Sequence, residues 1–243
     1  MSTAISLAAP DPNPPTGPRP VQWNGTQFHL MMQRGVFRGQ SVLLINGHVL
    51  ETHDGFPTNT NPRPFRWTRE QYYALGKLGL FDGRRVELIN GEIFEMSPKG
   101  WPHVVGCRKT AEALEKTFMG IGWVARQEPL GTVDSEPEPD VSVLPGRFED
   151  YTDHPTTALL IVEVADSSLD HDTTIKAELY ATAGIADYWV LDVIHARLLV
   201  FRDPMPIAAG GVAYHTHLTF GPSDSVAPIA AMAHAVRIAD LLP

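Results

Sequence analysis

From Leu159 to Val164 the chain reads Leu-Leu-Ile-Val-Glu-Val, an aliphatic run broken by one carboxylate. Such a run predicts a strand too apolar to face water on either side. Glu163 inside it is costly to bury unless a cation or a metal compensates it. Upstream, Glu138-Pro139-Asp140-Val141-Ser142-Val143-Leu144 reads as a second strand. Pro139 cannot donate to a sheet ladder, which puts Asp140 at a strand start facing a cleft, and the two strands are expected to converge at one sheet edge. Downstream, Ser167-Ser168-Leu169-Asp170-His171-Asp172 offers capping residues for a helix running through Lys176 to about Ala183, with Gly184 as its stop. Lys176 then lies one turn beyond Asp172 on the same face. Hard cations such as Mg²⁺ take oxygen ligands and are held by one or two carboxylates plus a substrate phosphate. Asp140 and Glu163 fit that count, with the backbone carbonyl of Val164 available to complete it. Lys176 is placed to orient a metal-bound water or to stabilise charge growing on a phosphate. Two carboxylates and an amine on neighbouring elements are the parts of a metal-assisted phosphodiester cleavage site.

Four blocks carry a resemblance over roughly Phe65 to Pro243. They are Val86-Glu87-Leu88-Ile89-Asn90-Gly91-Glu92-Ile93 with Ser97-Pro98 and His103; Ser135-Glu136-Pro137-Glu138-Pro139-Asp140-Val141; Ile161-Val162-Glu163-Val164 with Ser167-Ser168; and Asp172 and Lys176 followed by Tyr180-Ala181-Thr182-Ala183-Gly184-Ile185-Ala186-Asp187-Tyr188-Trp189-Val190-Leu191-Asp192. In this order and spacing the chain resembles the Uma-type restriction endonucleases of the PD-(D/E)XK nuclease superfamily. The resemblance implies an α/β fold, a restriction-endonuclease-like core with a mixed β-sheet flanked by helices, and a Mg²⁺- or Mn²⁺-dependent endonuclease acting on DNA. One departure stands out. The superfamily pattern has a lysine two residues after the second carboxylate, where this chain has Ala165, so Lys176 would have to supply the amine from the helix.

A second feature is an internal repeat at an offset of 44 residues. Pro18-Arg19-Pro20 and Trp23 recur as Pro62-Arg63-Pro64 and Trp67; Gly35, Phe37, Gly39, Val42 and Leu44-Ile45-Asn46-Gly47 recur as Gly79, Phe81, Gly83, Val86 and Leu88-Ile89-Asn90-Gly91. Each copy reads as a helical stretch, a glycine-marked turn and a hairpin around Asn-Gly. Leu43 and His48 of the first copy stand where the second has Glu87 and Glu92, so the first is a degenerate duplicate. Its expected role is an extra hairpin that extends the sheet or covers an edge strand, ahead of dimerisation or substrate contact. The expected organisation is a flexible, Pro-rich leader over residues 1–17, the degenerate repeat over 18–61, and a nuclease domain over 62–243.

The chain has a formal charge of −9, which repels a polyanion and limits nucleic-acid binding to a weak, salt-sensitive and metal-reliant mode. Locally the balance reverses: Lys99, Arg108, Lys109, Lys116 and Arg126 outnumber Glu112 and Glu115 between Ser97 and Gln127. The helix expected after His103 buries Val104, Cys107, Ala111, Leu114 and Phe118 on one face, leaving Arg108, Lys109 and Lys116 to meet phosphates or simply water. His103 follows Pro102 at that helix start and is a candidate for the active site; Glu87 alternates with Val86 and Leu88, which favours a solvent-facing position over an added acid at the metal. The ten histidines lack the spacing of a zinc hydrolase, and the single cysteine, Cys107, excludes an internal disulfide or a cysteine-rich zinc site. No apolar run reaches membrane-spanning length and no secretory signal is visible, so a cytoplasmic protein, free or as a homodimer, is expected. Two competing readings remain: a catalytically inactive nuclease-fold interaction or regulatory protein, and a metal-dependent phosphoesterase for small substrates.

Overall fold

A computed structural model describes residues 17–52, 62–132 and 134–243. The expected leader therefore lies outside the described residues except for Gly17. The repeat is legible in three dimensions. Its first copy gives β1 (Arg19–Pro20), α1 (Gly25–Gln33) and the hairpin β2 (Val42–Ile45) and β3 (His48–Glu51), and its second gives β4 (Arg63–Pro64), α2 (Arg69–Lys77), β5 (Val86–Ile89) and β6 (Glu92–Glu95). Both helices start with the same device. Asn24 and Thr68 accept from the backbone N–H of Gln27 and Gln71, whose side chains reach back to the cap N–H, so two orphan donors are satisfied at each start. Both hairpins turn at Asn-Gly with positive φ at each turn residue, the conformation that matches strand twist.

The copies exchange their leading strands. β1 pairs antiparallel with β6 of the second copy, and β4 pairs antiparallel with β3 of the first. The contacts are reciprocal: Val21 N–H donates to the Ile93 carbonyl at 2.8 Å and Phe65 N–H to the Val49 carbonyl at 3.0 Å. Trp23 meets Trp67 at 5.7 Å between ring centroids, Trp23 meets Phe81 at 6.2 Å, and Phe37 meets Trp67 at 5.8 Å. One apolar core thus serves both copies, drawing Met31 and Val36 from one and Leu75 and Leu80 from the other. Neither hairpin joins the large sheet; of the first copy, only β1 covers an edge of the second, that of β6.

Beyond the repeat come α3 (Trp101–Thr117), β7 (Gly122–Ala125), β8 (Val141–Pro145), β9 (Leu160–Ala165), α4 (Leu169–His171), a π-turn (Asp172–Lys176), α5 (Ala177–Thr182), β10 (Asp187–Asp192), β11 (Arg197–Pro206), β12 (Val212–Phe220), and the short pair β13 (Ser225–Val226) and β14 (Val236–Arg237). Six strands form one sheet in the order β12-β11-β10-β9-β8-β7. β9 and β10 are parallel and joined through α4 and α5, while the other neighbours are antiparallel. This is the mixed α/β sheet expected. All six residues of β9 are buried, because α3 and the C-terminal tail cover one face and α5 with the β5–β6 hairpin the other. Among the described residues no helix is long and apolar enough to cross a membrane.

Two expectations need correction. Asp140 and Glu163 do not meet at a sheet edge: β8 and β9 are interior strands, and where β8 begins the Glu163 carboxylate accepts from the Asp140 N–H while the Asp140 carboxylate accepts from the Val164 N–H. α3 starts at Trp101, ahead of His103, because Pro102 in its first turn gives up an N–H that would have had no partner there.

Candidate active site

Glu87, Asp140, Glu163, Asp172 and Lys176 are all buried and line one pocket. Each arrives on a different element. Glu87 comes from β5, Asp140 from the residue before β8, Glu163 from β9, and Asp172 and Lys176 from the two ends of the π-turn. The π-turn has a local cause. Thr173 and Thr174 donate their hydroxyls to the carbonyls of Leu169 and Asp170, at 2.7 and 2.5 Å, which bends a helix. The Asp172 carbonyl in turn accepts from the Tyr188 hydroxyl at 2.8 Å. Such turns are frequent at functional sites.

The ammonium of Lys176 is the hub. Its Nζ donates to Glu163 Oε1 at 2.9 Å and lies 3.0 Å from Glu87 Oε2. Glu163 Oε1 also accepts from the Tyr180 hydroxyl at 2.8 Å, and Oε2 from the Asp140 backbone N–H at 3.3 Å. Asp140 Oδ2 accepts from the Val164 N–H at 3.0 Å, and Oδ1 faces His103 Nε2 at 3.1 Å and Lys99 Nζ at 3.6 Å. The Val164 carbonyl, the expected third metal ligand, accepts from His103 Nδ1 at 2.7 Å. Asp172 Oδ2 accepts from the Ser168 hydroxyl at 2.5 Å.

Four buried carboxylates around one buried ammonium cannot all ionise cheaply. Burial pushes Glu163 up to about 8, with Asp140, Asp172 and Glu87 adding to it against the pull of Lys176. Burial likewise pushes Asp172 up to about 7. Asp140 goes the other way: burial would raise it, but His103, Lys176 and the Val164 N–H together hold it at about 2. Burial works against the charge on Lys176, yet the surrounding carboxylates raise its pKa well above the ordinary lysine value. This excess of acid over base is what a divalent cation would neutralise, and Asp140 Oδ1, which lacks a backbone donor, is the oxygen best placed to do so. The residues fit a hard divalent metal.

The structure thus brings together Asp140, Glu163, Lys176, His103, Glu87 and Asp172. For Glu87 this overturns the solvent-facing reading: strand alternation is uninformative when both faces of a hairpin are covered, and all four residues of β5 are buried. The basic residues of α3 stand apart. Arg108 pairs with exposed Glu112, Lys109 donates to the Leu242 carbonyl at 2.5 Å, and Lys116 is exposed in the last turn; none lines the pocket. Two contributors were missed from sequence. Tyr180 stands one helical turn beyond Lys176, a spacing that could have flagged it, whereas nothing in the sequence ties Lys99 to Asp140.

A search of curated proteins finds no match. Among solved structures the fold is similar to that of a protein from Anabaena variabilis described as a putative nuclease belonging to DUF820, at a TM-score of 0.50 and 15% identity, covering 65% of this chain and 89% of that one. The sequence model of the Uma2 family, described as putative restriction endonuclease, matches residues 69–230, which hold every residue of the pocket cluster. The chain belongs to the Uma2 family of restriction-endonuclease-like proteins.

Proposed function

We propose that this chain is a Mg²⁺- or Mn²⁺-dependent endonuclease that hydrolyses phosphodiester bonds in DNA. The observation that carries the reading is the buried cluster of four carboxylates around Lys176 at the floor of a pocket. The family's description and that of the Anabaena protein support it. Asp140 and Glu163 hold the metal in this reading. When bound, it lowers the pKa of a water and screens the phosphate. Lys176 orients the attacking water and steadies charge developing on the phosphate, while Glu87 and Tyr180 fix Lys176 and Glu163 in place. His103 and Lys176 keep Asp140 ionised, and Lys99, which lines the pocket 3.6 Å from Asp140, adds positive charge for the incoming backbone. The domain division belongs to the same reading: residues 62–243 form the nuclease domain and 18–61 a degenerate repeat docked on it, in a cytoplasmic protein.

A second reading has one observation in its favour. Both oxygens of Glu163 already have protein donors, as in a closed ion cluster that supports a binding protein. Incubation with supercoiled plasmid, single-stranded DNA, structured RNA and a small phosphodiester, each with Mg²⁺ or with chelator, separates the possibilities. Metal-dependent nicking of DNA that Asp140→Asn abolishes is the expected result. Turnover of the small ester alone selects a phosphoesterase, and inactivity on all four favours the interaction protein.

A further inference from the structure

Cys107 and His103 lie one turn apart on α3, facing Asp140, and no role proposed above uses Cys107. His103 Nδ1 sits 2.7 Å from the Val164 carbonyl. A carbonyl only accepts, so Nδ1 carries a proton, and Nε2 either holds a second proton against Asp140 or, once that proton leaves, offers its lone pair to a metal. His103 is 7% exposed, and its Nε2 has no hydrogen-bond partner among the described residues, although Asp140 Oδ1 is only 3.1 Å away. A buried ring nitrogen facing a carboxylate oxygen without a formed hydrogen bond calls for a shared cation, which a proton on His103 supplies and a metal ion bound to both groups would supply in its place. Fixing one ring nitrogen on a backbone carbonyl is also how proteins orient a metal-binding histidine.

One ligand atom each from His103, Cys107 and Asp140 lies within 4.8 Å of the other two. Gly106 makes this possible. A Cβ built there would stand 3.0 Å from Val164 Cγ1, so the missing side chain lets α3 settle close on β9 and carries His103 and Cys107 over Asp140.

We propose that His103 Nε2, Cys107 Sγ and an Asp140 oxygen form a metal position of their own, selective for a borderline-soft divalent cation such as Zn²⁺ or Co²⁺. One nitrogen, one sulfur and one oxygen ligand match the preference of these ions and not that of Mg²⁺. Binding exchanges the thiol proton of Cys107, released to solvent, for a metal–sulfur bond. Three protein ligands leave a fourth position for water or another oxygen ligand. The position adjoins the carboxylate pocket through Asp140, but its occupation does not depend on cleavage.

The test is Co²⁺ titration of the chelator-treated full chain, followed by absorption. One equivalent of Co²⁺ should produce a near-ultraviolet thiolate-to-cobalt charge-transfer band together with visible bands of tetrahedral intensity. Cys107 is the only cysteine of the chain, so the charge-transfer band has a single possible source. It should vanish in Cys107→Ser, weaken in affinity in His103→Gln, and persist in Glu163→Gln. No charge-transfer band in folded wild type, or unchanged Co²⁺ affinity in His103→Gln, overturns the assignment. Should Cys107→Ser fail to fold, the wild-type titration still decides. A missing band leaves Mg²⁺-dependent cleavage untouched, and a band without cleavage removes only the nuclease reading, so the two can fail separately.

Discussion

Replacing Lys176 by Met keeps most of the side chain's volume and removes its charge. The ammonium lies 2.9 Å from Glu163 and 3.0 Å from Glu87, and all three groups are about 2% exposed. Breaking a buried ion pair by deleting one partner costs about 3–5 kcal/mol, because the remaining charge is left without compensation. At roughly 2–4 °C per kcal/mol for a chain of this size, that corresponds to a loss of about 6–20 °C in Tm. The cost depends on pH. Glu163 is already pushed up to about 8 with the lysine present, and without it the carboxylate holds its proton still more strongly. A carboxyl whose folded pKa is raised contributes stability that is fully present below its unfolded value and is lost as pH rises through the folded one. The Lys176→Met deficit should therefore stay small and nearly flat from pH 5 to about 7, where both proteins keep these carboxyls protonated, and grow above that toward pH 9 as wild type ionises them and the variant does not. Thermal unfolding of both proteins across that range measures it. A deficit that is constant with pH, or below about 1 kcal/mol at pH 9, would show that Lys176 does not compensate these carboxylates.

Other outcomes follow from the same geometry. Mg²⁺ must displace the proton held by Glu163, so calorimetry should find affinity rising from pH 6 to about 8 and flattening above; a flat profile would remove Glu163 from the ligand set. Burial lowers His171 from 6.5 to about 4, so between those values the unfolded chain takes a proton that the folded chain refuses. His171's own contribution to stability should fall by about 3 kcal/mol as pH drops through that window, against the opposite trend of Glu163 and Asp172; His171→Leu, beside Phe94, should remove that contribution and shift the pH slope accordingly, and an unchanged slope would assign it elsewhere. Gly106→Val forces a side chain against Val164, Val193 and Leu191, so Tm should drop by an amount corresponding to about 1–3 kcal/mol, and an unaltered Tm would mean that α3 does not pack tightly on β9.

Sequence reasoning reached the strands of Asp140 and Glu163 and the repeat because these rest on local patterns: an apolar run, a proline, two Asn-Gly turns. It did not reach Glu87, whose burial depends on what covers a short hairpin whose alternation looks amphipathic. The π-turn was equally hidden, since Thr173 and Thr174 choose their carbonyl partners only once the helix exists. The exchange of leading strands between repeat copies was invisible for another reason: equal sequences pair equally well within or between copies, and the choice rests on the shared Trp23 and Trp67 core. The Val164 backbone was singled out from sequence as a metal ligand, but its joining of Asp140 to His103 through N–H and carbonyl shows only in the fold.

The central claim is that Asp140 and Glu163 form a site for a hard divalent cation. It is tested most directly by thermal unfolding of chelated wild type and Glu163→Gln with and without Mg²⁺. At about 100 times Kd, a bound ion adds about 2.7 kcal/mol, or roughly 5–11 °C at this chain length. The account predicts that rise in wild type and its loss in Glu163→Gln. An equal rise in both, or none in either while both are folded, would contradict it.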